Sequence, residues 1–101
     1  MKSIFLILVL SFTVSIFGQK TITFKAKDDL EVTADLYLTD DTKAPMIVLF
    51  HQAGWSRGEY KEIAPKLNKL GFNCMAVDQR SGGEINDVSN ETFKKAEGKG
   101  L

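Results

Sequence analysis

A chain of 101 residues with 13 Lys and Arg against 13 Asp and Glu has room for one small domain and carries no charge excess. That balance argues against a nucleic-acid surface or an anionic-membrane surface as the partner. The single cysteine, Cys74, excludes an intrachain disulfide.

The first element reads as an export leader. Lys2 gives a positive start, and Ile4 to Phe17 is a hydrophobic run interrupted only by Ser11, Thr13 and Ser15. Gly18 is a small residue at a cleavage position. This is the plan of a secretory signal peptide over residues 1–18. The alternative, a membrane anchor, is disfavoured because the run falls short of the roughly 18 apolar residues that a spanning helix needs. The mature chain is expected to start at Gln19, in the periplasm or outside the cell, with no stable membrane insertion. Without Lys2 its balance is 12 basic against 13 acidic residues.

Thr21 to Ala26 alternates loosely and reads as a strand, and Lys27-Asp28-Asp29 as a turn. Leu30, Val32, Ala34, Leu36 and Leu38 then fall on one face, with Glu31, Thr33, Asp35 and Tyr37 on the other. Such period-2 alternation predicts a half-exposed strand, antiparallel to the first, in a hairpin at the edge of a sheet. Thr39 to Ala44 is a polar loop closed by Pro45. Met46-Ile47-Val48-Leu49-Phe50 is a continuous apolar run ending at His51, the only histidine. It predicts a central strand buried on both faces.

After the turn Gln52 to Gly58, Tyr60, Ile63, Leu67 and Leu70 keep helical spacing. Pro65 is acceptable only near a helix start, so the prediction is a short turn at 59–64 and a helix at about 64–70, stopped by Gly71. Phe72 to Val77 reads as a second buried strand. Within it Cys74 is expected to act as a small hydrophobe, since nothing nearby would stabilise a thiolate. Asp78 to Gly83 is a polar loop, with Asp78 and Arg80 expected to pair within it. The remainder is mostly polar, with a helical turn expected at 91–97 behind Asn90 as a cap. The order strand, strand, strand, helix, strand makes an α/β class fold: an antiparallel edge hairpin, then a parallel strand-helix-strand unit. One helix cannot cover both sides of such a sheet, so one face is expected to be bare.

Several chemistries fail on spacing. Gly82-Gly83 and Gly98-Lys99-Gly100 do not make a P-loop, and Trp55 and Arg57 stand where a dinucleotide turn needs close backbone approach. One His and one Cys far apart give no metal-ligand spacing, so no metal is expected. Gly54-Trp55-Ser56-Arg57-Gly58 matches G-x-S-x-G, the nucleophile-elbow pattern. About five residues separate the strand end from Ser56, however, whereas an elbow delivers its serine directly from the strand. Ser56 is therefore expected to cap the following segment.

The strand ending at His51, the turn Gln52-Ala53-Gly54-Trp55-Ser56-Arg57-Gly58-Glu59-Tyr60, Ala64-Pro65-Lys66-Leu67, Leu70-Gly71-Phe72, Cys74 to Asp78 and Arg80-Ser81-Gly82-Gly83 together resemble the N-terminal half of α/β-hydrolases. The likeness is to the dienelactone-hydrolase-like or serine aminopeptidase-like branch. It covers essentially all of residues 19–101, with Gln52 in place of the Gly that usually follows the strand-end His.

The resemblance implies a partial α/β-hydrolase domain with an incomplete sheet, taken from an exported serine hydrolase of an ester, lactone or peptide-like bond. It implies an oxyanion-hole backbone N–H at Ala53, or second at Gln52, with His51, Gly54 and Trp55 shaping the site. Catalytic residues are expected beyond Leu101: the triad order is Ser, acid, His, and no His follows Ser56. No cofactor is implied; the partner would be a small-molecule or peptide substrate. The alternative from the residues alone is a small secreted binding module that pairs through an exposed sheet edge.

Overall fold

The computed structural model describes residues 18–97. The expected leader, apart from Gly18, lies outside the described residues. The fold is mixed α/β. Six strands form in chain order: β1 (Gly18–Lys25), β2 (Glu31–Leu38), β3 (Met46–Phe50), β4 (Asn73–Val77), β5 (Glu84–Ile85) and β6 (Val88–Ser89). A 3-10 turn covers Arg57–Tyr60, and two helices follow it, α1 (Ile63–Lys69) and α2 (Glu91–Ala96).

The main sheet has four strands in the order β1-β2-β4-β3, and β5 and β6 form a separate two-stranded hairpin. β1 is antiparallel to β2, β2 is antiparallel to β4, and β3 is parallel to β4. The expected hairpin and the parallel strand-helix-strand unit are both present. Asp29, at φ 68, makes the turn between β1 and β2. In α1 Pro65 sits in the first turn, where its missing N–H has no helical partner to lose. Gly71, at φ +96, ends the helix in the left-handed conformation that glycine adopts without strain.

Residues opposite each other across a ladder share a face. On one face Asp35 and Tyr37 lie opposite Ala76 and Cys74, which lie opposite Leu49 and Ile47. Tyr37, Cys74 and Ala76 form the core there with Ala64 of α1, and Tyr60 and Leu67 pack against it. Cys74 is fully buried, which pushes its thiol pKa up.

The other face carries Phe24, Val32, Leu36, Met75 and Val77, with Val48 and Phe50 of β3 beside the last two. α1 lies on the opposite side, and α2 reaches this face only at its upper end, where Thr92 joins Val32 and Val77. Met46, Val48 and Phe50 are 48%, 42% and 58% exposed.

Two expectations are corrected here. β3 is not a central strand buried on both faces. It is the outermost strand of the described sheet and is covered on one side only, because α1 packs on that side and nothing described packs on the other. β2 is not half-exposed either. Leu30 and Ala34 of its apolar face are buried, and so are Thr33, Asp35 and Tyr37 of the other, while Val32, Leu36 and Leu38 are partly exposed. The polar face can be buried because other elements satisfy it.

The upper end of β2 outlasts β4 and is completed by α2. The Asp78 N–H donates to the Thr33 carbonyl at 2.9 Å. The Thr33 N–H instead donates to Thr92 Oγ1 at 2.9 Å. Thr92 is buried and replaces a ladder partner with its side chain. The β5–β6 hairpin was not foreseen. Asn86 and Asp87, at φ 54 and 64, occupy its two central positions, where a two-residue turn that matches the right-handed twist of the strands requires positive φ.

Candidate functional site at the end of β3

β3 and β4 run parallel, so their carboxyl ends and the loops beyond them lie on one edge of the sheet, where open α/β sheets bind ligands. The chain leaves β3 at His51 and turns at Gln52-Ala53-Gly54-Trp55, closed by the Trp55 N–H donating to the Gln52 carbonyl at 3.2 Å. Gly54 stands third in the turn at φ +85, and a Cβ there would meet nothing within 4 Å. Backbone conformation, not space, therefore asks for glycine.

His51 is buried and braces the turn. Its Nδ1–H donates to the Gln52 carbonyl at 2.9 Å, and its Nε2 accepts the Gln79 N–H at 2.9 Å. This pattern assigns the neutral tautomer with the proton on Nδ1. Gln79 Nε2 donates in turn to the His51 carbonyl at 2.6 Å. The imidazole thus ties the end of β3 to the end of β4, with both nitrogens engaged.

The two expected backbone donors differ. The Gln52 N–H donates to Glu59 Oε1 at 2.7 Å. The Ala53 N–H makes no hydrogen bond among the described residues. A four-residue turn uses only its fourth N–H internally, which leaves the second free to face outward. Ala53 is exposed, so a ligand has access to it.

Below the turn, Arg57 joins three elements. Its backbone N–H and its Nη1 donate to the two oxygens of Asp78, each at 2.7 Å. Nη1 also donates to the Ser89 carbonyl at 3.1 Å. Nε lies 3.0 Å from Asp35 Oδ1, a charge contact rather than an aligned hydrogen bond. Thr21 Oγ1 donates to the same Asp35 oxygen at 2.7 Å, and the Glu91 N–H donates to Asp78 Oδ2 at 2.8 Å. Burial opposes the Arg57 charge, and the two carboxylates outweigh it, so its pKa stands above the ordinary arginine value.

Asp78 and Arg80 do not form the expected loop pair. Asp78 is taken by Arg57, and Arg80 pairs with Asp28 at 2.6 Å across the molecule. Asp78 lies inside the fold on the covered face, out of reach of its exposed neighbour.

Ser56 is fully buried. Its Oγ accepts the Gly58 N–H at 3.1 Å, as the cap of the 3-10 turn, and donates to the Val88 carbonyl at 2.6 Å. An inaccessible hydroxyl with both roles occupied has no path to a substrate. Trp55 is half-buried, and its carbonyl accepts the Gly83 N–H at 3.1 Å. Asn90, buried at the start of α2, accepts the Phe93 N–H at 2.8 Å as a cap and donates to the Gln79 carbonyl at 3.0 Å.

A cavity of about 420 Å³ opens on the bare face at the same strand ends. Val32, Phe50 and Val77 make its apolar floor, with Gln79, Arg80 and Ser81 at the polar rim. The turn residues Gln52 to Trp55 do not line it. Among the described residues no cluster of three or more His, Cys, Asp or Glu could hold a metal, and no helix is long and apolar enough to cross a membrane.

No protein-family model matches the chain, and no curated protein matches it. The site stands on its geometry. Sequence reasoning placed His51, Gln52, Ala53, Gly54 and Trp55 on one turn, and they are together there. It missed Arg57, Glu59 and Thr92. Arg57 had a signal: a cation inside a turn that lies between two apolar strands needs carboxylates if it is buried. Glu59 and Thr92 had none, because their partners are backbone groups, which sequence does not display.

Proposed function

We propose that this chain is the N-terminal part of an exported α/β-hydrolase-type enzyme. The enzyme cleaves an ester, lactone or peptide-like bond through an acyl-enzyme, and the turn after β3 supplies a backbone donor to the oxyanion hole. The observation that carries this reading is the exposed Ala53 N–H, without a partner among the described residues, at the carboxyl end of a parallel strand. A donor already fixed by its turn stabilises a developing oxyanion by roughly 3 kcal/mol in a dry site. His51, Gly54 and Trp55 then serve by shaping the turn, and none of them touches the reacting bond. Two further features support the reading. The outer edge of β3 pairs with no described strand, and the apolar face beside it fits a sheet completed by more strands and helices. The nucleophile, acid and base belong to chain beyond Leu101. The reading as an exported enzyme rests on the leader pattern of residues 1–18 in the sequence.

The test is hydrolysis of a p-nitrophenyl ester by the product of the whole reading frame, compared with the 101-residue chain alone. The first is expected to turn over and to keep its activity in Ser56→Ala; the second is expected to be inactive. Turnover by the short chain that disappears in Ser56→Ala would falsify the proposal. A second reading, a secreted module that binds by adding a strand, is favoured by the outer edges of β1 and β3, which pair with no described strand. It requires a genuine stop after codon 101 and a cooperatively folded product.

A further inference from the structure

We infer that Glu59 is an internal occupant of the anion-binding turn, and that its carboxylate must leave Gln52 before the turn can offer two adjacent backbone donors. This rests on the reading of the turn as an oxyanion site and says how that site is regulated. The Gln52 N–H and the Ala53 N–H are consecutive in the chain, on exposed residues of a tight turn. One is free. The other is held at 2.7 Å by a carboxylate oxygen from the 3-10 turn seven residues on. The turn therefore already binds an anion, and the anion is its own side chain.

The hold is built to be released. The Gln52 bond is exposed, so water can replace it on either side. The Glu59 backbone is anchored independently, its N–H donating to the Ser56 carbonyl at 3.1 Å. The next residue, Tyr60, is fixed by its hydroxyl donating to the Phe50 carbonyl at 2.5 Å. The side chain of Glu59 can thus swing away while the 3-10 turn stays in place. Other elements also hold the loop carrying Gln52: His51 through the Gln52 carbonyl and Trp55 through the same oxygen. Losing the carboxylate removes a ligand without removing the brace. While Glu59 remains, a bound oxyanion meets only the Ala53 donor and lies beside a like charge.

The experiment titrates sodium acetate into the isotope-labelled 101-residue chain at constant ionic strength and follows the Gln52 and Ala53 amide resonances. In the unaltered chain, Ala53 is expected to respond weakly and Gln52 to lag behind it. In Glu59→Ala both amides are expected to respond together, with acetate bound several-fold more tightly. Glu59→Gln keeps an oxygen acceptor without the charge; it should fall between the two, and it decides the matter if Glu59→Ala does not fold. Equal acetate affinity in the variants and the unaltered chain, or no response of either amide in any of them, overturns the inference. These outcomes are read without turnover. An anion-responsive turn with no esterase activity from the whole reading frame would sink the hydrolase proposal and leave the Glu59 inference standing. Esterase activity with an unchanged Gln52 amide in Glu59→Ala would do the reverse.

Discussion

Arg57 carries more of the site's geometry than any residue of the turn itself. Its guanidinium lies between Asp35 of β2 and Asp78 beyond β4, and its side chain is 12% exposed against 6% and 0% for theirs. Removing the cation leaves two buried carboxylates facing each other without a counter-charge, which costs about 3–5 kcal/mol. Arg57→Ala is therefore expected to unfold at far lower denaturant than the unaltered chain. Arg57→Lys should recover part of the loss, since one ammonium cannot repeat the reach of Nη1 to Asp78 and of Nε to Asp35 together. An unchanged midpoint for Arg57→Ala would contradict the role given to the cluster.

The exposed Asp28 behaves differently. Hydrogen bonding to Arg80 first, and to the Leu30 N–H second, lowers its pKa to about 2. A depressed carboxylate adds stability above its unfolded value of about 3.9 and loses it as pH falls through the folded value. A carbon-detected titration should find the Asp28 midpoint below that of ordinary aspartates, and Arg80→Ala should return it to the normal range.

At the scale of elements, local signals were legible and facing was not. Pro65 and Gly71 bounded α1 within a residue or two, because each acts on the backbone where it sits. Asn90 announced α2 in the same way. Gly71→Ala isolates such an effect: φ is +96 and a Cβ would meet nothing within 4 Å, so backbone strain is the whole penalty, about 1 kcal/mol. A drop in thermal midpoint of a few degrees, with unchanged spectra, is the expected result.

The burial of the polar face of β2 could not be read in the same way. It depends on Arg57 reaching Asp35 and on Thr92 reaching Thr33, partners far along the chain whose arrival converts a polar face into a buried one. β3 was misread for a related reason. A run of five apolar residues reports what the strand will tolerate on both sides, whereas the described residues cover only one. The β5–β6 hairpin was overlooked because Asn86-Asp87 contains no glycine, although asparagine and aspartate are the other residues that accept positive φ.

For the whole molecule, the bare face sets the behaviour. Phe24, Met46, Val48 and Phe50 stand together on one side of the sheet, each 41% exposed or more. Burying such a side chain fully is worth about 1.5–3 kcal/mol, and the described residues do not realise that gain. It is expected to self-associate, and Val48→Lys with Phe50→Lys should restore the monomer in sedimentation. The same pair should change the stability of the short chain by only about 0.5 kcal/mol, as exposed positions do. In the product of the whole reading frame it should be strongly destabilising if that face is buried there, and neutral if the protein is a binding module.

The bond from the Thr33 N–H to Thr92 Oγ1 joins residues 59 apart in sequence, and the contact of Lys95 with Glu31 spans 64. A chain made from its N-terminus exposes β2 long before α2 exists. The β1–β2 hairpin therefore forms with the Thr33 amide unpaired, and that amide finds its partner only after β4 has paired with β2. The seam between α2 and β2 is then also the first to reopen. Amide exchange at Thr33 should follow the fraying of α2 and outpace Ala34 and Leu36, its neighbours in the same strand.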